Sequence, residues 1–222
     1  MKKKNLKTVL LWLLALAPVV LTALVYSKLP DQIPTNWDLN GSVAYSDRWQ
    51  IWLISGMSPF LAVMLRILPK IDPRKRNYEK FQGAYDGFCI AMMLFLLAMT
   101  AVILSESFYP GRISVSMVVT ALMGVLFVFL GNIMPKMKSN YFMGIKNPWT
   151  LSNTTVWNKT HRLAGMLWFA GGLVILISAL LIKSGSLLFW LIMALVLVMT
   201  LIPTVMSYLW YQRLSPEEKE PR

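Results

Sequence analysis

Cysteine and histidine are almost missing from this chain: Cys89 and His161 are the only ones in 222 residues. One thiol cannot close an internal disulfide, and the pair falls short of the Cys/His ligand sets that hold zinc. Cys89 lies inside an apolar run and reads as a small buried residue. Charge is scarce too, at 14% against the roughly 25% of a soluble domain. Acidic side chains are the rarer sign, 10 against 22 basic, for a net charge of +12. The basic residues fall in the gaps between apolar runs, so the excess points to membrane topology and no direct nucleic-acid binding is expected. There is no H-E-x-x-H, G-x-S-x-G or Walker sequence. The lone histidine has no nearby acid in sequence to orient it. We therefore expect no catalytic residues, no metal and no cofactor.

What the chain has in abundance is apolar length. It is 56% hydrophobic, with a mean hydropathy of +0.55. Six runs, 9–26, 50–68, 86–105, 113–131, 163–182 and 187–209, approach the ~20 residues that cross a bilayer as a helix. The first run is longer than a signal-peptide core, has no A-x-A site after it, and is expected to remain as a span. Pro18, Pro59 and Pro203 fall inside spans, where we expect kinks and not breaks, with hydroxyls such as Thr200 answering the freed carbonyls. Of the 22 lysines and arginines, only Lys28, Arg48, Arg112 and Lys183 lie on the side away from the N-terminus. The positive-inside rule then gives an all-α integral membrane protein with six transmembrane helices and both termini cytoplasmic.

The longest outer segment, 27–49, has two prolines at its start and then Asn40-Gly41, a strong hairpin signal. Trp37, Leu39, Val43 and Tyr45 alternate as strands do. A two-residue turn sets Trp37 opposite Ala44, and a three-residue loop sets it opposite Tyr45. Trp37 and Trp49 read either as ordinary interfacial aromatics or as parts of a small folded outer lid.

Two inner loops echo each other. Leu68-Pro69-Lys70-Ile71 followed by Asn77-Tyr78 parallels Met134-Pro135-Lys136-Met137 followed by Asn140-Tyr141. The echo reads as a weak repeat, or as independent use of Pro-Lys to end a helix at the headgroups. Ser116, Thr120, Gly124 and Gly131 place small residues along the fourth span, which suits close helix packing. Arg66, Asp86 and Glu106 lie within a turn or two of span ends, where an interfacial role is expected. No carboxylate chain crosses the bilayer, which argues against a proton-coupled pump.

The segment 131–165 is too long and too rich in aromatics for a bare connector. We expect an ordered element on the cytoplasmic face. Pro148 biases Asn147 away from helix, and Ser152 is the expected N-cap of a helix starting at Asn153. Trp157, His161, Gly165 and Trp168 share one helical face, with Gly165 expected to leave room beside the imidazole. That face can seat a ligand, a partner or the Gly144-Ile145 loop, or pin the loop by hydrogen bonds.

Gly131-Asn132, Pro135-Lys136, Asn140-Tyr141-Phe142, Gly144-Ile145, Pro148-Trp149-Thr150-Leu151, Val156-Trp157 and Thr160-His161-Arg162 with Gly165 together resemble the signature of the SdpI family of bacterial toxin-immunity membrane proteins. LPDQIPTNWDLNG and LPKIDPRKRNY resemble the two-helix domain of unknown function that often precedes it. Lys146-Asn147 stands where Arg-Thr is more usual, and Asn36 where a histidine is common. Lys146 therefore keeps the charge but not the guanidinium fork.

The resemblance implies a multi-pass protein of the bacterial cell membrane that resists a secreted peptide toxin by binding it, without catalysis. It also implies a role in signal transduction, holding a cytoplasmic transcriptional repressor at the inner face. Membrane lipids are the remaining partners, and a small transporter or exporter of peptide or lipid is the rival reading. The expected division is a two-helix unit, 1–82, with the extracellular loop 27–49, and a four-helix unit, 83–222, with the ordered cytoplasmic loop 132–162. The residues expected to meet toxin or partner are Trp37, Asp38, Asn132, Lys136, Asn140, Gly144, Lys146, Pro148, Trp149, Thr150, Trp157, Thr160, His161 and Arg162.

Overall fold

The computed structural model describes residues 2–38 and 42–215. Six helices are long and apolar enough to cross a membrane, as the hydropathy pattern predicts. In chain order they are α1 (Lys2–Val25), α2 (Ile51–Ile71), α4 (Gln82–Phe108), α5 (Val115–Ile133), α7 (Thr154–Leu181) and α8 (Gly185–Gln212). Two short helices, α3 (Lys75–Lys80) and α6 (Pro148–Ser152), belong to connections at one end. A two-stranded sheet, β1 (Gln32–Trp37) and β2 (Val43–Asp47), sits at the other.

Two groups of helices share the bundle. α1, α2 and α4 pack round a core of Leu11, Ala15, Ala62, Leu65, Tyr85, Cys89 and Met93. α5 lies along α7 because glycines face each other across the contact. A Cβ on Gly124 would come 2.7 Å from Leu176 N, and one on Gly172 would come 2.9 Å from Gly124 O. Gly124 and Gly131 thus serve as the small residues the sequence suggests. Ser116, by contrast, is exposed.

α1, α2 and α8 each run through their prolines: Pro18, Pro59 with Pro69, and Pro203. A proline leaves the carbonyl four residues earlier without its helical donor. At two sites another helix supplies one. Trp168 Nε1 of α7 donates to Met199 O, freed by Pro203, at 3.2 Å. The Tyr85 hydroxyl of α4 donates to Leu65 O, freed by Pro69. Thr200 does not fill this role: its hydroxyl donates to Val196 O at 2.7 Å within its own helix.

The hairpin forms, but in neither expected register. Trp37 pairs with Val43 and Asn36 with Ala44, so five residues connect the strands, and an irregularity between Pro34 and Asn36 shifts the rest. The predicted Asn40-Gly41 turn lies outside the described residues. Asp38 closes the connection on both sides: its N–H donates to Ser42 O at 2.9 Å, and its Oδ1 accepts from Ser42 N at 2.7 Å. Ile33 is fully buried with Leu29, Ile51 and Ile103, seating the sheet on the ends of α2 and α4. Trp37 packs on this cluster, half-buried, so it is part of a folded unit. Glu106, also buried, accepts from Gly111 N at 3.0 Å and Ile113 N at 3.3 Å, holding the turn between α4 and α5.

Candidate functional site

At the end opposite the hairpin, 134–153 folds into a plug against the start of α7. After α5, a 3₁₀ turn at Met134–Lys136 carries Pro135. The chain then returns through α6, whose N-cap Asn147 forms a reciprocal capping box with Thr150: Thr150 N donates to Asn147 Oδ1 at 2.9 Å and Asn147 N to Thr150 Oγ1 at 3.0 Å. Pro148 stands at N1, where a missing N–H costs nothing. Asn153, not the expected Ser152, caps α7, accepting from Thr155 N and Val156 N. Ser152 instead ends α6, its hydroxyl donating to Pro148 O at 2.6 Å.

His161 is completely buried and both ring nitrogens are engaged. Ile145 N–H donates to Nε2 at 3.1 Å, and Nδ1 lies 2.8 Å from Trp157 O. A nitrogen that accepts from an amide carries no proton, so the proton sits on Nδ1 and the ring is neutral. The indole of Trp157 stacks on the imidazole at 4.0 Å between centroids, 18° from parallel. Its Nε1 donates to Met137 O at 2.9 Å. Gly144 has φ +96°, and a Cβ there would strike His161 Nε2. It is Gly144, not Gly165 as expected, that makes room for the ring. Gly165 makes room for the end of α5, since its Cβ would meet Pro135 and Gly131 O within 2.8 Å.

The plug is tied to both helix groups. Asn147 Nδ2 donates to Ser207 Oγ of α8 at 2.8 Å, and Trp149 packs edge-on to Tyr208 at 5.1 Å. On the other side it meets the α2–α3 turn, where Asp72 and Ser139 are residues that sequence reasoning did not single out. Buried Asp72 accepts from Arg74 N at 2.7 Å, Tyr141 N at 2.9 Å and the Tyr78 hydroxyl at 3.0 Å. Burial, and then the bond to Asp72, push the Tyr78 phenol well above its ordinary pKa. Arg74 donates to Ser139 Oγ and, at 2.7 Å, to Leu151 O. Asn77 donates to Ser139 O at 2.7 Å. Asn140 Oδ1 accepts from Met143 N, Phe142 N and the Tyr78 hydroxyl at 2.6, 2.9 and 3.2 Å. The signal was the echo of the two loops: the segments that resemble each other interlock.

The expected site residues thus divide. Asn140, Thr150, Trp157, Thr160 and His161 are buried within the plug, and Trp149 is half-buried against α8. Thr160 Oγ1 is buried without a hydrogen bond among the described residues. Asn132, Lys136, Gly144, Lys146, Pro148 and Arg162 are exposed, and with Lys138 and Lys159 they give the plug a basic outer surface. Trp37 and Asp38 lie at the far end, on a cavity of about 550 Å³ that also includes Tyr45, Glu106 and Lys183. An adjoining apolar cavity of about 360 Å³ shares Trp37 and Asp38 and runs down between α4, α5 and α8 past Met99, Met123 and Leu188. No cluster of three or more metal-ligating side chains occurs among the described residues.

These features define a multi-pass protein of the cell membrane, with a hairpin at one end of its helices and an ordered plug at the other. Within it, residues 136–207 match the SdpI/YfhL protein family, and residues 13–58 match the domain of unknown function DUF1648. The chain is 23% identical over 215 residues to Immunity protein SdpI of Bacillus subtilis (strain 168), covering 97% of this chain and 99% of that one. No solved structure matches it significantly.

Proposed function

We propose that this protein is an immunity protein: it protects a bacterium from a secreted, membrane-active peptide by binding that peptide, without chemistry. The observation that carries the reading is its end-to-end similarity to Immunity protein SdpI. The basic residues then set the plug and both termini in the cytoplasm and the hairpin outside. In this arrangement the polar cavity at Trp37 and Asp38 opens toward arriving peptide, and the apolar cavity beneath it takes hydrophobic side chains. Volumes of this size suit a few side chains, not a whole peptide, so the toxin is held by one end. Residues 1–82 act as the receiving unit and 83–222 as the unit that carries the plug, with α4 as their shared wall. Trp149, Trp157 and His161 hold the plug in its protective form.

A second reading is favoured by the exposed Lys136, Lys138, Lys146, Lys159 and Arg162. This basic face docks a transcriptional repressor when toxin is bound outside. The transporter reading needs a polar path, and Arg66, Asp86 and Glu106 all lie near helix ends. The test is expression in a sensitive bacterium challenged with secreted antimicrobial peptides. Survival without peptide uptake or degradation supports binding-based immunity. Equal killing with and without the protein, at verified expression, sinks it, and toxin extrusion promotes the transporter.

A further inference from the structure

A third cavity, of about 600 Å³, opens at the plug end among α1, α2, α3 and α4, away from the His161 plug core. Its walls are partly apolar, with Trp12 and Tyr85, and partly charged, with Arg66, Lys70, Glu79 and Asp86. Arg66 and Lys70 stand four residues apart on α2 and so share one face. They lie in the last turn and a half of that helix, which ends at Ile71. That is the depth at which a spanning helix reaches lipid phosphates.

The charges do not cancel. Asp86 is already met by Lys7 at 3.8 Å. Arg66 Nη2 donates to the Thr8 hydroxyl at 3.0 Å, but its Nε is buried with no acceptor among the described residues. A buried guanidinium N–H without an acceptor is costly, because a charged donor forfeits its water and gains nothing back. Exposed Glu79 is the other acid of the lining, so with Lys7 on Asp86 three cations, Lys7, Arg66 and Lys70, stand against two acids. The site is short of an acceptor with negative charge, set beside an apolar wall.

We propose that this cavity binds the phosphate headgroup of an anionic phospholipid, with Arg66 and Lys70 on the phosphate and an acyl chain along Trp12. Arg66 supplies the directional N–H donors that suit phosphate oxygens, and Lys70 a point charge. The lipid, not a free anion, is the occupant because the same cavity joins this charge to apolar surface open at headgroup depth.

The test uses the full-length protein in nanodiscs or detergent, with native mass spectrometry counting retained phosphatidylglycerol against phosphatidylcholine. The wild type retains phosphatidylglycerol preferentially. Arg66→Gln and Lys70→Gln each lower that preference about fivefold, the effect of one basic residue at an anionic surface. Arg76→Gln, on the exposed side of α3 and outside the cavity, leaves it unchanged. Lys70 is exposed, so Lys70→Gln folds and decides the matter even if Arg66→Gln does not. No preference in the wild type, or an equal drop in Arg76→Gln, overturns the proposal. Thermal stabilisation by inorganic phosphate that equals that by short-chain phosphatidylglycerol overturns the lipid assignment.

Discussion

The imidazole of His161 accepts a hydrogen bond from the backbone N–H of Ile145 at 3.1 Å, sixteen residues away in sequence. Only a neutral ring with its proton on Nδ1 can do this while also donating to Trp157 O. The contact joins a loop with no regular structure to the first turns of a membrane-spanning helix. Gly144, at φ +96°, permits this approach, since a Cβ there would strike the imidazole.

Gly144→Ala is therefore expected to weaken the fold by about 1–3 kcal/mol, since an alanine there meets both an unfavourable φ and the imidazole edge. His161→Ala removes two hydrogen bonds and the stacking partner of Trp157, and is expected to cost about 3 kcal/mol. Thermal unfolding in detergent measures both. A Gly144→Ala protein as stable as the wild type contradicts the placement of His161.

Trp168→Phe tests the repair of the proline break in α8. It leaves Met199 O without a donor, at a cost of about 1–2 kcal/mol. In a Pro203→Ala background the backbone N–H of residue 203 returns, and the same substitution is expected to cost measurably less. A double-mutant cycle reads this coupling directly. Additive effects mean the indole and the proline are unrelated.

Asp72→Asn tests the interlock of the two loops. The carboxylate takes three donors, and an amide offers only one oxygen. Hydrogen exchange at the Tyr141 amide is expected to rise, and proteolysis within 137–147 to accelerate, with about 1–3 kcal/mol of local stability lost. Unchanged exchange at Tyr141 in Asp72→Ala, which leaves no side-chain oxygen, rules out Asp72 as its acceptor.

For function, Trp37→Ala and Asp38→Asn are expected to reduce protection against the toxin at unchanged protein level, whereas His161→Ala and Trp149→Ala act through the plug. Survival curves with immunoblot-matched expression check all four. Full protection in both His161→Ala and Trp149→Ala removes the plug from the mechanism, and full protection in both hairpin variants removes the outer cavity.

Much of this architecture was legible from residues alone. Six apolar runs became six long helices because span length and apolarity are properties of a contiguous segment. The order of 131–165 was legible from its aromatics and its capping residues: Asn147 and Asn153 find partners within three positions, while Trp157 and His161 reach back to Met137 and Ile145. Long-range identity was not legible. The hairpin register depends on an irregularity at Thr35 that alternation cannot reveal, because a one-residue shift leaves composition unchanged. Ser152 and Asn153 are both good N-caps, and only the separate five-residue helix α6 assigns them to different helices. Gly165 and Gly144 were equally available to face the imidazole. The backbone of α5, which no local pattern reports, occupies the space beside Gly165. Asp72 looked like one charge in a basic loop, since nothing near it in sequence names Tyr141, 69 residues on, as its donor.

α2 runs without interruption from Ile51, packed under the sheet, to Ile71, one residue before Asp72. At ~1.5 Å per residue it is a rod of about 30 Å, braced near its far end by the Tyr85 hydroxyl on Leu65 O. The carboxylate that holds Tyr141 follows directly on this rod. One continuous helix thus has the outer sheet on its first residue and the interlock of the two loops just beyond its last.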